Sequence, residues 1–143
     1  METKEKQSRM TRQKRLIMDE MRKAHDHPDA DTVYLRVKSK LPKVSLATIY
    51  CNLEEMAKKG KILKLTGSTR KARFDGRTDT HYHFHCVQCG RIEDTSIPPL
   101  GELDEYVARE VDSEICWHCL DFLGLCSSCR RAKSSAEVEE DQQ

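Results

Sequence analysis

The sequence contains no long apolar run, so it predicts no membrane-spanning segment. Its N-terminus is charged throughout and has no apolar stretch like that of a signal peptide. These two absences predict a cytoplasmic protein with no membrane partner. Net charge is also nearly absent, at +1 over 143 residues, and no internal repeat exists beyond Cys-x-x-Cys units.

The near-zero net charge hides two halves of opposite sign. Residues 1–77 hold 20 Lys and Arg against 10 Asp and Glu, a net charge of +10. Residues 78–143 hold 5 against 14, a net charge of −9. A basic half joined to an acidic half indicates that the first half meets a polyanion such as nucleic acid. The alternative is that the opposite charges only join the two halves.

The basic half has a helix-turn-helix pattern. Apolar residues at spacings of three and four predict helices over about 11–24, 30–40 and 45–59, the last capped by Ser45. Two short strands around 67–69 predict a basic hairpin that carries Lys64, Arg70, Lys71 and Arg73. These elements predict a winged helix-turn-helix in which 45–59 is the recognition helix. The candidates for DNA contact are Lys43, Ala47, Thr48, Tyr50, Asn52, Arg70 and Lys71.

The acidic half predicts shorter elements and a polar end. HYHFHCV, RIEDTSI and SEICWHCLDFLGLC read as strands, and residues 101–111 read as a helix with apolar residues at every fourth position. Residues 78–133 form the predicted second domain. Residues 134–143 are polar and acidic, which predicts a disordered tail.

Seven cysteines in a reducing compartment indicate metal or redox chemistry rather than structural disulfides. Six of them form three Cys-x-x-Cys units, and two such units brought together give the all-sulfur tetrahedral coordination that suits Zn2+. The unit 126/129 is the favoured partner of 86/89, since small residues separate its cysteines and Gly124 precedes it. The predicted zinc ligands are Cys86, Cys89, Cys126 and Cys129.

The remaining cysteines have other predicted roles. Cys116 and Cys119 lie in the apolar segment predicted to be a strand, so they are core residues or a redox pair. Cys51, on the predicted recognition helix, is expected to pack in the interior.

The stretch HYHFHC predicts a second metal site. If it is a strand, His81, His83 and His85 share one face and Cys86 lies on the other. Imidazoles and thiolates on opposite faces do not easily serve one ion, so two sites are expected. The available partners for the histidines are His27, Asp75 and Asp94, and sequence spacing leaves open whether these converge. Such a donor set suits Fe2+, Mn2+ or Zn2+.

The runs RFDGRTDTHYHFHCVQCGRIED and GLCSSC, preceded by HPDADTVY and SLATIYCNLEEM, resemble the ferric uptake regulator (Fur) superfamily over about residues 11–131. The resemblance implies an α+β chain, with a winged-helix DNA-binding domain over 1–77 and a small α/β dimerisation domain over 78–133. It implies a homodimeric, metal-dependent repressor of double-stranded operator DNA, not an enzyme. The implied structural Zn2+ uses the same four cysteines, and the implied regulatory Fe2+ or Mn2+ ligands are His27, Asp75, His81, His83 and Asp94.

Within that family the pattern resembles the peroxide-responsive repressors. Thr80, Tyr82 and Asp94 stand where iron-sensing members usually carry a His-rich motif and a final Glu, although His118 remains. The resemblance implies that bound Fe2+ reacts with H2O2 and that His27 or His81 is oxidised, which releases DNA. His85 and the 116/119 unit depart from the pattern. The alternatives are an iron- or zinc-sensing repressor and, from another class, a Cys-x-x-Cys thiol redox protein.

Overall fold

The computed structural model describes residues 11–66 and 70–140, with side chains described to residue 136. The chain divides into two compact units. The first is described over 11–65 and 72–78, and the second over 66, 70–71 and 79–140. The elements of the first unit are α1 (Arg12–Lys23), α2 (Ala30–Lys38), α3 (Leu46–Lys58), β1 (Leu63–Leu65) and β2 (Arg73–Asp75).

Local signals in the sequence start all three helices of the first unit. Thr11, Asp29 and Ser45 each accept a hydrogen bond from a backbone N–H three residues further on, which satisfies one of the free donors at a helix start. The helices bury one shared apolar core with Phe74 of β2. The core residues are Ile17, Met18, Met21, Ala30, Val33, Val37, Val44, Ile49, Leu53, Met56, Ile62 and Phe74.

The predicted hairpin follows α3. Strands β1 and β2 pair antiparallel, with Leu63 opposite Asp75 and Leu65 opposite Arg73. The predicted turn at 67–69 lies outside the described residues. Three helices followed by this hairpin confirm the helix and strand pattern predicted for the basic half.

The second unit is built on a three-stranded sheet. Its elements are β3 (His83–Cys86), β4 (Ile92–Asp94), α4 (Gly101–Val111), β5 (Asp121–Gly124) and α5 (Ser127–Glu140). The strand order is β4-β3-β5, with β3 antiparallel to β4 and parallel to β5. Strand β3 is therefore the central strand, and its residues His83, Phe84 and His85 each have a partner on both neighbouring strands.

Two sequence predictions for the second unit are wrong. The strand predicted over 113–126 is formed only by Asp121–Gly124, and residues 114–120 have no regular structure. The predicted disordered tail from 134 is instead helical up to 140, as the last part of α5. This stretch contains Ala, Glu and Ser without Gly or Pro, so nothing in it ends a helix already started at Ser127.

No helix within the described part of the chain is both long and apolar enough to cross a lipid bilayer.

Candidate metal centres and DNA-contact helix

Four cysteine side chains of the second unit converge. Cys86 ends β3, Cys89 lies in the turn after it, and Cys126 and Cys129 lie after β5. The parallel pairing of β3 with β5 places Cys86 opposite Gly124, two residues before Cys126. The four sulfur atoms all lie within 4.8 Å of one another. This pairing of 86/89 with 126/129 is the one that the sequence favoured.

The backbone around the cluster stabilises thiolates. The backbone N–H of Cys126 donates to Cys86 Sγ at 3.3 Å, and this bond does most to lower the pKa of Cys86, to about 6. A backbone N–H from Cys129 lowers the pKa of Cys126 in the same way. A Cys-x-x-Cys turn closed by Gly90, at φ +75°, brings the Cys89 sulfur to 3.8 Å from Cys126 Sγ.

The fourth thiol shows what the cluster requires. Hydrogen bonding to the Cys126 sulfur is the main cause that raises the pKa of Cys129, to about 12, and burial adds to it. Four sulfur ligands can all be thiolates only if a cation lies among them. The donor set and its geometry therefore fit a soft, four-coordinate divalent ion such as Zn2+.

Two buried histidines of the second unit meet one carboxylate. His83 lies opposite Asp94 in the β3–β4 register, and its Nε2 is 3.4 Å from Asp94 Oδ1. His81 Nε2 is also 3.4 Å from that oxygen. His81 Nδ1 is 2.7 Å from the carbonyl oxygen of Asp79, which can only accept, so Nδ1 carries the proton. Nε2 is then the nitrogen left with a lone pair for a metal ion.

The first unit holds a second buried pair of the same kind. His27 Nε2 lies 3.4 Å from Asp75 Oδ2, and both side chains are about as buried as core residues. His27 has φ +48°, an uncommon left-handed conformation that turns the chain between α1 and α2. Gly76 follows Asp75 so closely against α1 that a Cβ there would lie 2.3 Å from the Met21 carbonyl oxygen. Backbone constraints on both sides therefore hold this His–Asp pair.

A hydrogen-bonded chain holds the residue between His81 and His83. His118 Nδ1 lies 2.6 Å from Asp104 Oδ1, and the His118 Nε2 atom contacts the Tyr82 hydroxyl. The backbone N–H of Leu100 donates to the same hydroxyl at 2.7 Å. Tyr82 is fully buried, so these partners satisfy its polar end. The sequence singled out His118 but missed Asp104, whose position on α4 carries no local signal of this contact.

The prediction that the remaining cysteines pack in the interior is wrong, while a redox role for Cys116 and Cys119 stays a prediction. Cys116 and Cys119 are exposed rather than part of a core, because the strand predicted around them does not form. Cys51 is also exposed, on the side of α3 away from the buried Ile49 and Leu53. All three thiols are therefore open to solvent in the isolated chain.

The candidates for DNA contact fall into two groups. Exposed side chains are those of Lys43, Ala47, Tyr50, Arg70 and Lys71, while Thr48 is half-buried. Asn52 is buried, and its side-chain amide donates to the Thr48 carbonyl oxygen at 2.8 Å. This position cannot contact DNA from the surface, so the prediction for Asn52 is wrong. Position 52 lies three residues after Ile49, on the buried face of α3.

Two of the predicted wing cations, Lys64 and Arg73, have intramolecular partners. Lys64 Nζ is 2.6 Å from Glu54 Oε1. The Arg73 guanidinium donates to the carbonyl oxygens of Asp26 and His27. Arg73 therefore braces the backbone beside His27, while the side chains of Arg70 and Lys71 are exposed.

Comparison with known proteins identifies the family. The model of the ferric uptake regulator family matches residues 5–123. The peroxide-responsive repressor PerR of Staphylococcus epidermidis is 35% identical over 85% of this chain and 81% of its own length. PerR of a Staphylococcus aureus strain is 34% identical over 85% of this chain and 82% of its own.

Solved structures share the fold. The Campylobacter jejuni peroxide stress regulator has a TM-score of 0.73 and 27% identity, covering 82% of this chain and 88% of that one. The Helicobacter pylori ferric uptake regulator has a TM-score of 0.74 at 18% identity, covering 84% and 81%, which supports the fold alone. Regulators of this family bind operator DNA, and dimerisation is typical of them. With its four-cysteine and His–Asp clusters, this chain belongs to the ferric uptake regulator family, as a metal-dependent transcriptional regulator and not an enzyme.

Proposed function

We propose that this regulator is a homodimeric repressor that senses hydrogen peroxide and then releases its operator DNA. Its regulatory centre would hold Fe2+ or Mn2+ on His27, Asp75, His81, His83 and Asp94. Its structural centre would hold Zn2+ on Cys86, Cys89, Cys126 and Cys129. The proposed domains are 1–77 for DNA binding and 78–133 for dimerisation. Since its partner is operator DNA and its cysteines are free thiols, we propose a cytoplasmic location.

The observation that carries the proposal is that each unit buries imidazoles against a carboxylate. The spacing is the same each time, at 3.4 Å for His27 with Asp75 and for His81 and His83 with Asp94. Three nitrogen and two oxygen donors form a set suited to Fe2+ or Mn2+. An ion that takes ligands from both units restrains one against the other, and so selects the DNA-binding arrangement of the dimer.

The histidines are the proposed targets of peroxide. A ferrous ion held by these ligands would supply the redox chemistry that activates H2O2 beside them. One oxygen atom is added to a ring carbon of His27 or His81, and the other leaves as water, so the histidine supplies both electrons. The oxidised ring is a weaker ligand. The bond from His81 Nδ1 to the Asp79 carbonyl oxygen fixes the His81 ring. The ring is therefore held next to the proposed metal position, where the oxidant would form.

The proposed operator contacts come from α3 and the hairpin. Ala47, Thr48 and Tyr50 lie on or near the exposed face of α3, as expected of a helix that enters the major groove. Lys43, Arg70 and Lys71 are exposed cations for phosphate. Asn52, which is buried, is left out of the proposed contact surface.

The proposed dimer surface lies on the second unit. Strand β5 is an edge strand, and Phe122 and Leu123 on it are exposed. Helix α4 buries none of its residues in the single chain, although Tyr106 and Val111 are apolar. An exposed edge strand and an exposed apolar helix in one unit favour association with a second copy.

Mass spectrometry of peptides tests the proposed chemistry. The Fe2+-loaded protein is exposed briefly to H2O2, and an Mn2+-loaded sample serves as the control. One added oxygen atom on the peptides with His27 or His81, in the iron sample alone, supports the proposal.

Two other outcomes contradict it. A disulfide between Cys116 and Cys119 with unmodified histidines indicates a thiol switch, for which both exposed thiols are available. No modification at all, with metal-dependent operator binding retained, indicates an iron- or zinc-sensing repressor.

A further inference from the structure

The third histidine of the β3 face is not used by either proposed centre. His85 is 1% exposed. Neither of its ring nitrogens has a hydrogen-bond partner among the residues that the structure describes. Buried polar side chains nearly always have a partner, since an unpaired one carries the full loss of its hydration. The buried imidazole of His85 therefore needs a partner from outside the described part of the chain.

One carboxylate lies close to this imidazole. The parallel register of β3 and β5 places Asp121 opposite His83, on the same sheet face as His85. Asp121 Oδ1 is 3.5 Å from His85 Nε2 and 3.6 Å from His83 Nδ1. The Asp121 side chain is 38% exposed in the single chain, so water reaches this side of the pair there.

The separation of 3.5 Å is too long for a charge-assisted hydrogen bond. Such bonds in the same unit are short, at 2.6 Å for His118 with Asp104 and 2.7 Å for His81 with the Asp79 carbonyl. Two donors that each lie about 2.0–2.2 Å from one tetrahedral ion are roughly 3.3–3.5 Å apart. His85 and Asp121 thus have the spacing of two ligands of one ion. The His–Asp pairs of the proposed regulatory centre have it too, at 3.4 Å.

We propose that His85 Nε2 and the Asp121 carboxylate bind a divalent transition-metal ion at a third site, on the β3–β5 pair. Water on the Asp121 side completes the coordination. One imidazole and one carboxylate suit Zn2+, Co2+, Fe2+ and Mn2+ rather than Ca2+ or Mg2+. Since the chain supplies only two donors, the site is weaker than a four-thiolate centre and responds to the free ion concentration.

The Asp121 carboxylate also links this site to the proposed regulatory centre. His83 directs Nε2 to Asp94 and Nδ1 to Asp121. With Nε2 on a metal ion, Nδ1 carries a proton that points to the Asp121 carboxylate. An ion on Asp121 weakens that carboxylate as an acceptor, so each site lowers the affinity of the other.

Cobalt binding to four versions of the protein tests the third site separately from the regulatory one. Full-length protein that retains its zinc is dialysed against Co2+, and cobalt and zinc per chain are both measured. The four proteins are the wild type, His85→Leu, His27→Ala and the double variant. The expected cobalt counts per chain are two, one, one and zero, with one zinc throughout.

A second variant and a matched control complete the test. Asp121→Asn alters a partly exposed side chain, so it tests the site even if His85→Leu fails to fold. It should lower the affinity for one of the two cobalt ions at least tenfold. His25→Ala removes an exposed histidine and should leave two cobalt ions. Two tightly bound cobalt ions in both His85→Leu and Asp121→Asn would overturn the third site. Two ions in His27→Ala, with one in His85→Leu, would instead overturn the regulatory centre and leave the third site standing.

Discussion

The two units of this protein are stabilised in different ways. The first unit buries one continuous apolar core, contributed mainly by its three helices and by Phe74 of β2. In the second unit, the buried apolar residues within the described part are Tyr82, Cys86, Ile92 and Cys126, and two of these are in the cysteine cluster. A small domain that buries so little apolar surface needs metal ions or a partner to fold stably. The stability of the first unit therefore comes from its own apolar core, while the stability of the second unit depends on the metal ions or partner that it binds.

The largest expected effect is loss of the four-cysteine centre. Cys86→Ser removes the thiolate that accepts the Cys126 N–H, and we expect zinc content to fall to zero and the second unit to unfold. The binding free energy of structural zinc sites is about 10–16 kcal/mol, far more than a small core supplies. Zinc analysis and size-exclusion chromatography measure the loss, with the exposed Cys51→Ser as control. A folded dimer without zinc would contradict the claim that the second unit needs bound zinc to fold.

The converse change removes the core of the first unit. Phe74→Ala deletes a fully buried ring, and we expect a loss of about 3–5 kcal/mol in the free energy of unfolding. Zinc should still bind at one ion per chain, because the cysteines lie in the other unit. Urea denaturation followed by circular dichroism checks the stability. Leu35→Ala, at an exposed site, is the control, and an equal loss there would show that Phe74 has no special role.

A third change tests the exposed apolar edge of the second unit. Leu123→Ala on β5 removes an exposed leucine from each copy of the proposed dimer. Since burying a leucine contributes at least about 1.5 kcal/mol, two should change the dimer dissociation constant about 100-fold. Analytical ultracentrifugation measures that constant, and Leu35→Ala on the first unit should leave it unchanged. A dimer of wild-type affinity would place the interface elsewhere.

The smallest expected effect concerns a helix cap. Ser45→Ala removes the oxygen that accepts the Thr48 N–H, and we expect the first unit to lose about 1 kcal/mol of stability. Ser45→Asp keeps an acceptor at the cap and should retain most of that stability. Thermal unfolding distinguishes the two variants. If both lose equally, packing rather than capping determines the start of α3.

Helical periodicity predicts most of the first unit, and it also accounts for the two residues of α3 whose burial differs from the prediction. Positions 49, 52, 53 and 56 follow the spacing of one helix face, so Asn52 belongs with the buried residues. Cys51 lies on the other side of the same helix, which explains why it is exposed. In both cases the position on the helix, and not the residue type, determines burial.

The strand around Cys116 and Cys119 could not be corrected in this way. Its apolar residues suit a strand, but only Asp121–Gly124 pairs with β3. Strand length depends on where the partner strand ends, and β3 itself has four residues. Exposure of both cysteines thus follows from a pairing between segments far apart in sequence.

The sequence by itself determined the helix starts, the hairpin, the donor types and the two faces of HYHFHC, because these depend on neighbours within a few residues. The tertiary structure alone decided that Asp121 lies opposite His83 and that His85 is buried without a hydrogen-bond partner among the described residues. Asp104 reaches His118 for the same reason. Strand register and helix docking join segments that are more than ten residues apart, and no local pattern in the sequence specifies them.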